Sequence, residues 1–250
     1  MCTLSIFRDN DTLKITMNRD EHLERLGEKM PFAWNGAFVA PQDLKSKGTW
    51  IGVHPKTQQW ACLLNGYDER DESIHDQPLS RGHIIPEFLT QDFDQFRTYI
   101  SDNSDRFASF RLLCGDKVSL FEIFWDGETL NIQTPDINRG WLFRSSSSLE
   151  QQRVIEYRQG LFEAWLERPE YICNGKVPSF HAVCNEDAPS SSILMRRESL
   201  KRATTSITSI HMQDNTTEVS YFSANNQNDS RLLPLTIADI NESNTQLYYA

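Results

Sequence analysis

Short segments in which polar and apolar residues alternate, joined in pairs by turn sequences, constrain the fold more than any other feature. A period of two residues is that of a half-buried β-strand, and a polar turn between two such segments indicates a hairpin. Hairpins are predicted at 3–7 with 13–17, at 49–53 with 60–64, and at 203–212 with 218–223. A three-strand meander is predicted at 107–114, 118–125 and 129–133. The chain is therefore predicted to consist mainly of antiparallel sheets.

Helical periodicity is found in three segments. It predicts helices at 82–89, 92–100 and 149–168. The longest begins with a capping-box pattern at Ser148 and Gln151, and its apolar stripe is predicted to run through Val154, Tyr157, Leu161 and Trp165. Two less regular segments are interpreted as a short helix or loop at 22–30 and as a strand at 180–184.

The order of hairpins, then helices, then hairpins again implies an α+β fold in which helices cover antiparallel sheets. At 250 residues the chain is near the upper limit for one domain, and no boundary is marked by a change in composition. We therefore expect a single domain over 1–250, with the polar residues 224–250 forming an edge segment or a frayed tail.

Composition excludes several classes of partner. The net charge of −10 argues against nucleic acid or an anionic membrane surface, because both require a basic footprint. No segment approaches the roughly 20 apolar residues of a transmembrane helix, and no signal peptide is recognised. The five cysteines are odd in number and form no CxxC pair, which is typical of reduced thiols. We therefore expect a cytoplasmic protein.

Metal and nucleotide motifs were also considered. Cys173, His181 and Cys184 lie close in sequence, but their spacing is irregular and a fourth ligand is not evident, so no metal site is predicted. The chain contains no GxGxxG, P-loop, HExxH or GxSxG motif.

Cys2 is the residue with the most distinctive chemistry. A cysteine directly after the initiator methionine is small enough for Met1 to be removed, which leaves one residue with both a thiol and a free α-amine. The α-amine has a pKa of roughly 7.7 to 8, so it can accept the thiol proton near neutral pH. Cys2 is thus a candidate nucleophile that carries its own base. The alternative is a small buried residue at the start of a strand.

Asn18-Arg19-Asp20-Glu21 returns beside Cys2 if the first hairpin forms. The Arg19 guanidinium is then placed to lower the thiol pKa and to bind a substrate oxygen, and a carboxylate such as Asp20 is placed to hold the α-amine. The alternative is a solvated turn after the strand.

These residues resemble the NRDE family, also called the transport and Golgi organisation family. The resemblance starts from Met1-Cys2 and the literal Asn18-Arg19-Asp20-Glu21. Further landmarks follow in the family's order: KGTWIGV at 47–53, LLNGY at 63–67, SRG at 80–82 and KRATTSI at 201–207. The chain departs from the family where a GLSN-like segment is expected and WLFRSSSS stands at 141–148. An asparagine expected near the active centre is missing there, which puts hydrolase activity in doubt.

The resemblance implies the αββα four-layer sandwich of N-terminal nucleophile hydrolases. It also makes Arg202 a site candidate, because an arginine at such a strand start often reaches the active centre in the cysteine-type enzymes; a surface arginine is the alternative. If the second hairpin lies beside the first, the Asn65 side chain can donate to an oxyanion above Cys2. The alternative is that Asn65 and Gly66 simply form a turn.

Two classes of function follow, and a scaffold protein is a third. The first is a protein that binds or traffics haem or a similar small hydrophobic ligand, since a subset of the family is linked to haem movement. The second is an amidohydrolase that cleaves a non-peptide C–N bond, with Cys2, Arg19, Asp20, Asn65 and Arg202 in the site and no cofactor required. The sequence does not choose among five axial ligands for haem: His54, His75, His83, His181 and Cys2.

Overall fold

The computed structural model of the chain describes residues 2–25, 27–67, 79–172 and 177–223, together with the backbone of 234–237. These residues form two compact units. The first unit consists of Met1–Arg25 with Ile137–Ala250, and the second of Leu26–Asp136.

Strands dominate both units. The strands of the first unit's opening hairpin and of the second unit are β1 (Cys2–Arg8), β2 (Thr12–His22), β3 (Glu28–Trp34), β4 (Phe38–Asp43), β5 (Ile51–His54), β6 (Gln59–Asn65), β7 (Phe110–Gly115), β8 (Leu120–Trp125) and β9 (Leu130–Gln133). The remaining strands are β10 (Trp141–Ser146), β11 (Tyr171–Ile172), β12 (Val177–Pro178), β13 (Arg196–Arg197), β14 (Arg202–Gln213), β15 (Thr216–Ser223) and β16 (Pro234–Ile237). The α-helices are α1 (Ile84–Leu89), α2 (Phe93–Asn103) and α3 (Gln151–Leu166). Short 3-10 turns lie at Arg81–His83, Ser104–Arg106, Ser179–Ala182 and Glu198–Leu200.

In the first unit, the strands pair antiparallel in the order β10-β1-β2-β14-β15-β16, and β13 pairs with β14. The start of β1 therefore lies between two strands, with Cys2 opposite Ser146 of β10 and Arg19 of β2. A bulge interrupts the pairing of β14 with β2 between Thr204 and Ser206. A bulge redirects side chains locally and is common next to active sites.

Helix α3 packs on the sheet of the first unit through a stripe at four-residue spacing. Val154, Arg158, Phe162 and Leu166 are its buried residues. Aromatic residues of β10 and of the 3-10 turn at Ser179–Ala182 complete this core, in which the rings of Phe143 and Phe162 stack with centroids 4.8 Å apart. The helix thus covers one face of the sheet, and a charged residue lies in its buried stripe.

In the second unit, seven strands pair in sequence order from β3 to β9. Helices α1 and α2 pack on one face through Ile84, Phe88, Phe96 and Ile100, which share a core cluster with Leu63 and Phe110 of the sheet. Asp92 caps α2, as predicted, because its side chain accepts a hydrogen bond from the backbone N–H of Gln95.

The predicted α+β class and antiparallel sheets are confirmed, and so are the hairpins, the meander and the three helices. Three local predictions are wrong. Residues 28–30 belong to β3, because pairing with β4 overrides their helical propensity. Residues 179–182 form a 3-10 turn in place of the predicted strand. Helix α3 has no side-chain cap: Glu150 precedes it in the left-handed conformation, with φ of 46°.

The single-domain prediction stays a prediction. Residues 224–250 lie outside the described residues except for β16, which pairs with β15. None of the helices in the described ranges is both long and apolar enough to cross a membrane.

Candidate active site at the start of the first strand

Cys2 is held at both backbone groups by serines of β10. Its backbone N–H donates to Ser146 Oγ at 3.2 Å, and its carbonyl oxygen accepts from Ser145 Oγ at 3.3 Å. The side chain is buried. The serines of the segment 141–148, which departs from the family pattern, therefore contact the backbone of the candidate nucleophile.

The surroundings of Cys2 favour the protonated form of its thiol. Burial raises the pKa of the Cys2 thiol above its ordinary value, and the charge of Asp20 raises it further. The amino-terminal charge, a hydrogen bond from the Asp20 backbone and the charge of Arg19 act in the opposite direction without cancelling the effect of burial. A chain of this geometry has a weakly nucleophilic thiol.

Arg19 lies directly across the sheet from Cys2, as the sequence predicts. Cross-strand partners project to the same face of a sheet, so the guanidinium and the thiol share one face. Arg19 is buried, donates from Nη1 to Thr205 Oγ1 at 3.2 Å, and lies with Nη2 3.4 Å from Glu21 Oε2. Residues 18–21 are thus part of β2 and not a solvated turn.

Asp20, the next residue, makes its contacts with α3. Its Oδ2 lies 3.3 Å from Nη2 of Arg158, and both side chains are fully buried. Its Oδ1 accepts from Thr204 Oγ1 at 2.7 Å. The Cys2 nitrogen is bonded to Ser146, so a role for Asp20 at the α-amine stays a prediction.

Arg158 was not recognised from the sequence, although it connects several residues around Cys2. Its Nη1 donates to Thr3 Oγ1 and to Ser145 Oγ, each at 3.0 Å. Ser145 in turn contacts the Cys2 carbonyl. The only signal in the sequence was the four-residue spacing of Arg158 from Val154 and Phe162.

Arg202 and Asn65 complete the predicted set. Arg202 begins β14 and donates from Nη1 to Ser148 Oγ at 2.8 Å. Asn65 is the last residue of β6 in the second unit, where it pairs with Phe110, a residue of the core under α1 and α2. The proposed roles of Arg202 and Asn65 at Cys2 stay predictions.

A second buried polar cluster lies behind the site, on the face covered by α3. Nε2 of His181 lies 2.7 Å from Ser5 Oγ, and its Nδ1 lies 2.5 Å from Asn18 Oδ1. Burial lowers the pKa of His181 to about 3, so the ring is neutral. The sequence did not predict this cluster, because His181 is more than 160 residues from both Ser5 and Asn18 in the chain.

The residues considered for metal or haem binding are scattered. No group of three or more metal-binding side chains is found among the described residues. Cys173 and His75 lie outside them, and His83 is exposed. Both ring nitrogens of His181 are within hydrogen-bonding distance of protein groups. Nδ1 of His54 accepts the backbone N–H of Thr57 at 3.2 Å, which places the ring proton on Nε2.

Comparison with known proteins supports the family resemblance. A search among curated proteins found no match to the chain. A family model described as "Transport and Golgi organisation 2" matches residues 1–232. This match covers the Cys2 strand, the residues 18–21 and the strand that begins at Arg202. The chain therefore belongs to the Transport and Golgi organisation 2 family.

Proposed function

We propose that this protein is an N-terminal nucleophile hydrolase that cleaves a non-peptide C–N bond, with Cys2 as the nucleophile after removal of Met1. One observation carries the proposal: the Cys2 nitrogen lies 3.2 Å from Ser146 Oγ. After trimming, that nitrogen is the α-amine, and the Ser146 hydroxyl is in place to orient it. Ser146 lies in the segment 141–148, where the family resemblance predicts an asparagine near the active centre.

The reaction requires only the chain, the amide and water. The α-amine accepts the thiol proton, and the Cys2 sulfur attacks the carbonyl carbon. The C–N bond then breaks, the amine leaves with the proton returned by the α-ammonium, and a thioester remains. The α-amine next activates water, which attacks the thioester and releases the carboxylic acid with the thiol restored.

The other predicted residues support this chemistry in the proposal. Arg19 shares the sheet face of Cys2 and stabilises the thiolate or a substrate oxygen. Asp20 holds Arg158, which bonds Ser145 beside the Cys2 carbonyl. Asn65 is the proposed oxyanion donor, and Arg202 a further site residue. The proposal includes the N-terminal nucleophile hydrolase-like fold and a cytoplasmic location.

The test begins with the intact mass of the untagged protein, which must show loss of Met1. The trimmed protein is then incubated with a panel of linear amides, and released amines are measured. We expect turnover that is abolished by Cys2→Ala and reduced about tenfold or more in kcat by Ser146→Ala. Ser179→Ala removes a serine hydroxyl that bonds Trp165 instead, and should retain activity. Retention of Met1, or turnover in Cys2→Ala, would overturn the proposal.

Binding of haem or a similar small hydrophobic ligand is the second candidate, and the protonated state of the Cys2 thiol favours it. A thiol with a raised pKa is a poor nucleophile, so a chain that keeps Met1 has no catalytic group at this position. The second unit also contains a cavity of about 490 Å³, a volume in the range of small-molecule sites. Its lining residues are Ala37, His54, Thr57, Gln59, Leu89, Thr90, Gln91 and Asp92.

Axial ligation of haem does not fit His54 or His181. Nε2 of His54 carries the ring proton while Nδ1 accepts from Thr57, and His181 is fully buried with both nitrogens in contact with protein groups. With these two histidines excluded as ligands, the candidate tested is haem that lies in the cavity without a bond to His54 or His181. Haem titration should produce a Soret shift that survives Cys2→Ala and His54→Gln but is lost in Thr90→Trp, which places a large ring at the cavity from an exposed position. No spectral change would rule this candidate out.

A further inference from the structure

The sheet face that carries Cys2 has a row of polar residues across five strands. Cross-strand register aligns residues of β10, β1, β2, β14 and β15 in one line, and such partners project to the same face. The row consists of Ser146, Cys2, Arg19, Ser206 and Ser223. Two residues further along each strand, the next row contains Thr208 opposite Met17.

Among the described residues, three hydroxyls on this face are buried without a partner: those of Ser206 and Thr208 on β14, and that of Thr217 on β15, which pairs with Met212 at the far end of the sheet. Ser206 is 0% exposed and Thr208 is 1% exposed. In the described part of the chain, neither Ser206 Oγ nor Thr208 Oγ1 has a hydrogen-bond partner. Burying a hydroxyl without a hydrogen bond is unfavourable, so two such groups side by side on one strand require an explanation.

Hydroxyls on the opposite face of the same sheet are paired. Ser209 Oγ, the immediate neighbour of Thr208, lies 2.9 Å from Thr16 Oγ1. Ser5 Oγ lies 2.7 Å from His181 Nε2, and Thr204 Oγ1 donates to Asp20 at 2.7 Å. On β14, the hydroxyls of Thr204 and Ser209 on the opposite face are therefore paired, unlike those of Ser206 and Thr208.

The bulge in β14 produces this placement. Thr204 pairs with Asp20, whereas Ser206 pairs with Arg19, so the extra residue Thr205 intervenes between two consecutive cross-strand pairs. Arg19 donates to that extra residue. Ser206 is thereby brought to the face of the thiol, one strand beyond the guanidinium. Adjacent strands are about 4.8 Å apart, so the row offers polar groups at about 5 and 10 Å from Cys2.

We infer that Ser206 and Thr208 bind the carboxylate end of the substrate, so that the hydrolase acts on amides that bear a carboxylate near the scissile bond. This inference rests on the proposed function of Cys2. The scissile carbonyl lies at Cys2, and the carboxylate lies over Arg19, between the strand of Cys2 and the strand of Ser206 and about 5 Å from each. The two hydroxyls donate to its oxygens, and the Arg19 charge complements it.

Direct binding to a protein that cannot turn over tests the inference. The probe is glutaramate, whose carboxylate and amide carbons are about 5 Å apart, the spacing of adjacent strands. Its neutral counterpart is glutaramide. Isothermal titration is done with the Cys2→Ala chain, in which alanine also permits removal of Met1. We expect glutaramate to bind about tenfold or more tightly than glutaramide.

Further variants made in the Cys2→Ala chain identify the residues responsible for the preference for glutaramate over glutaramide. Ser206→Ala and Thr208→Val should each remove most of it, while their melting temperatures stay unchanged or rise because no bonded hydroxyl is lost. Ser209→Ala is the matched control on the same strand: it should lower the melting temperature and keep the preference, since Thr16 loses its partner. A preference that persists in Ser206→Ala and Thr208→Val would overturn the inference.

Turnover separates this inference from the proposed function. Hydrolysis of neutral amides at a rate equal to that of carboxylate-bearing amides would overturn the inference and leave the hydrolase proposal standing. Binding of glutaramate that depends on Ser206, without turnover by the trimmed wild-type chain, would support the binding site and overturn the hydrolase. Absence of both binding and turnover would overturn both.

Discussion

Arg158 and Asp20 form an ion pair in which both side chains are fully buried, with Nη2 3.3 Å from Oδ2. The pair joins α3 to β2 immediately beyond Arg19. Arg158 also donates to Thr3 and Ser145, and Asp20 accepts from Thr204, so the two charges are surrounded by hydrogen bonds. The pair therefore fixes the position of α3 relative to the strands that carry Cys2.

Breaking this pair is expected to destabilise the first unit strongly. Arg158→Met leaves the Asp20 carboxylate buried without its cation, which costs about 3–5 kcal/mol in the free energy of unfolding. Urea denaturation of the purified variant measures this loss. Arg153→Ala, on the exposed side of the same helix, is the control and should change stability by less than about 0.5 kcal/mol.

A double variant distinguishes the charge effect from lost packing. Asp20→Asn removes the second charge, so Arg158→Met with Asp20→Asn should recover part of the stability lost in Arg158→Met alone. If the double variant were less stable than the single one by the full cost of a second lesion, the charge of Asp20 would not be the cause.

The buried histidine predicts a loss of stability in mild acid. Burial lowers the pKa of His181 to about 3, below the unfolded value of 6.5. The unfolded chain therefore binds the proton first, and stability falls as the pH drops from about 6.5 toward 3. Linkage gives a loss of about 2 kcal/mol between pH 7 and pH 5 from this residue. Urea midpoints at several pH values measure the slope.

His181→Gln should flatten this pH dependence, because glutamine does not titrate. Phe162→Leu is the control: its ring stacks on that of Phe143 with centroids 4.8 Å apart, so the variant loses packing in the same core and keeps both His181 and the Phe180 ring on it. We expect Phe162→Leu to be less stable at every pH with an unchanged slope. An unchanged slope in His181→Gln would show that other groups govern the acid response.

Two glycines in the second unit approach each other closely. A Cβ on Gly48 would lie 2.7 Å from the Cα and carbonyl carbon of Gly82, both backbone atoms, and Thr49 N–H donates to the Gly82 carbonyl at 3.0 Å. Gly48→Ala should therefore cost about 1–3 kcal/mol, measured by thermal unfolding. Gly160→Ala, in α3 with open space around it, should instead stabilise the chain by about 0.5–1 kcal/mol. Equal effects at the two positions would contradict the close contact.

Local periodicity predicted much of the fold, because the hairpins and α3 follow from side-chain spacing alone. The predicted stripe of α3 was only partly right. Counting apolar residues favoured Tyr157, Leu161 and Trp165, whereas the buried stripe continues from Val154 through Arg158. An arginine is buried only where distant residues neutralise it, and Asp20 is 138 residues away in sequence. Spacing within a helix does not contain that information.

In the candidate site, too, the sequence predicted the contacts between nearby residues and missed those between distant ones. The pairing of Cys2 with Arg19 follows from a hairpin, so the sequence predicted it. The Ser146 contact was missed, because it depends on the pairing of β10 with β1 across 144 residues. The Ser206 and Thr208 hydroxyls were missed because their position on the face of Cys2 depends on the bulge in the pairing of β14 with β2.

The cysteines are expected to differ sharply in their rates of alkylation. The order of these rates tests how reactive the Cys2 thiol is. Cys184 is exposed, whereas Cys2, Cys62 and Cys114 are buried, and burial raises the pKa of both the Cys2 and Cys114 thiols. In a chain that keeps Met1, iodoacetamide at pH 7.5 should modify Cys184 before the three buried cysteines, and Cys2 much more slowly than Cys184, because the thiolate is the reacting species. Peptide mapping over a time course gives both rates from one sample, so Cys184 serves as the internal reference.

Removal of Met1 places a basic α-amine beside the thiol, and the rate at Cys2 should then rise relative to Cys184. A rate at Cys2 that is already equal to that at Cys184 with Met1 present would show that burial does not protect the thiol, and that trimming is not what activates it.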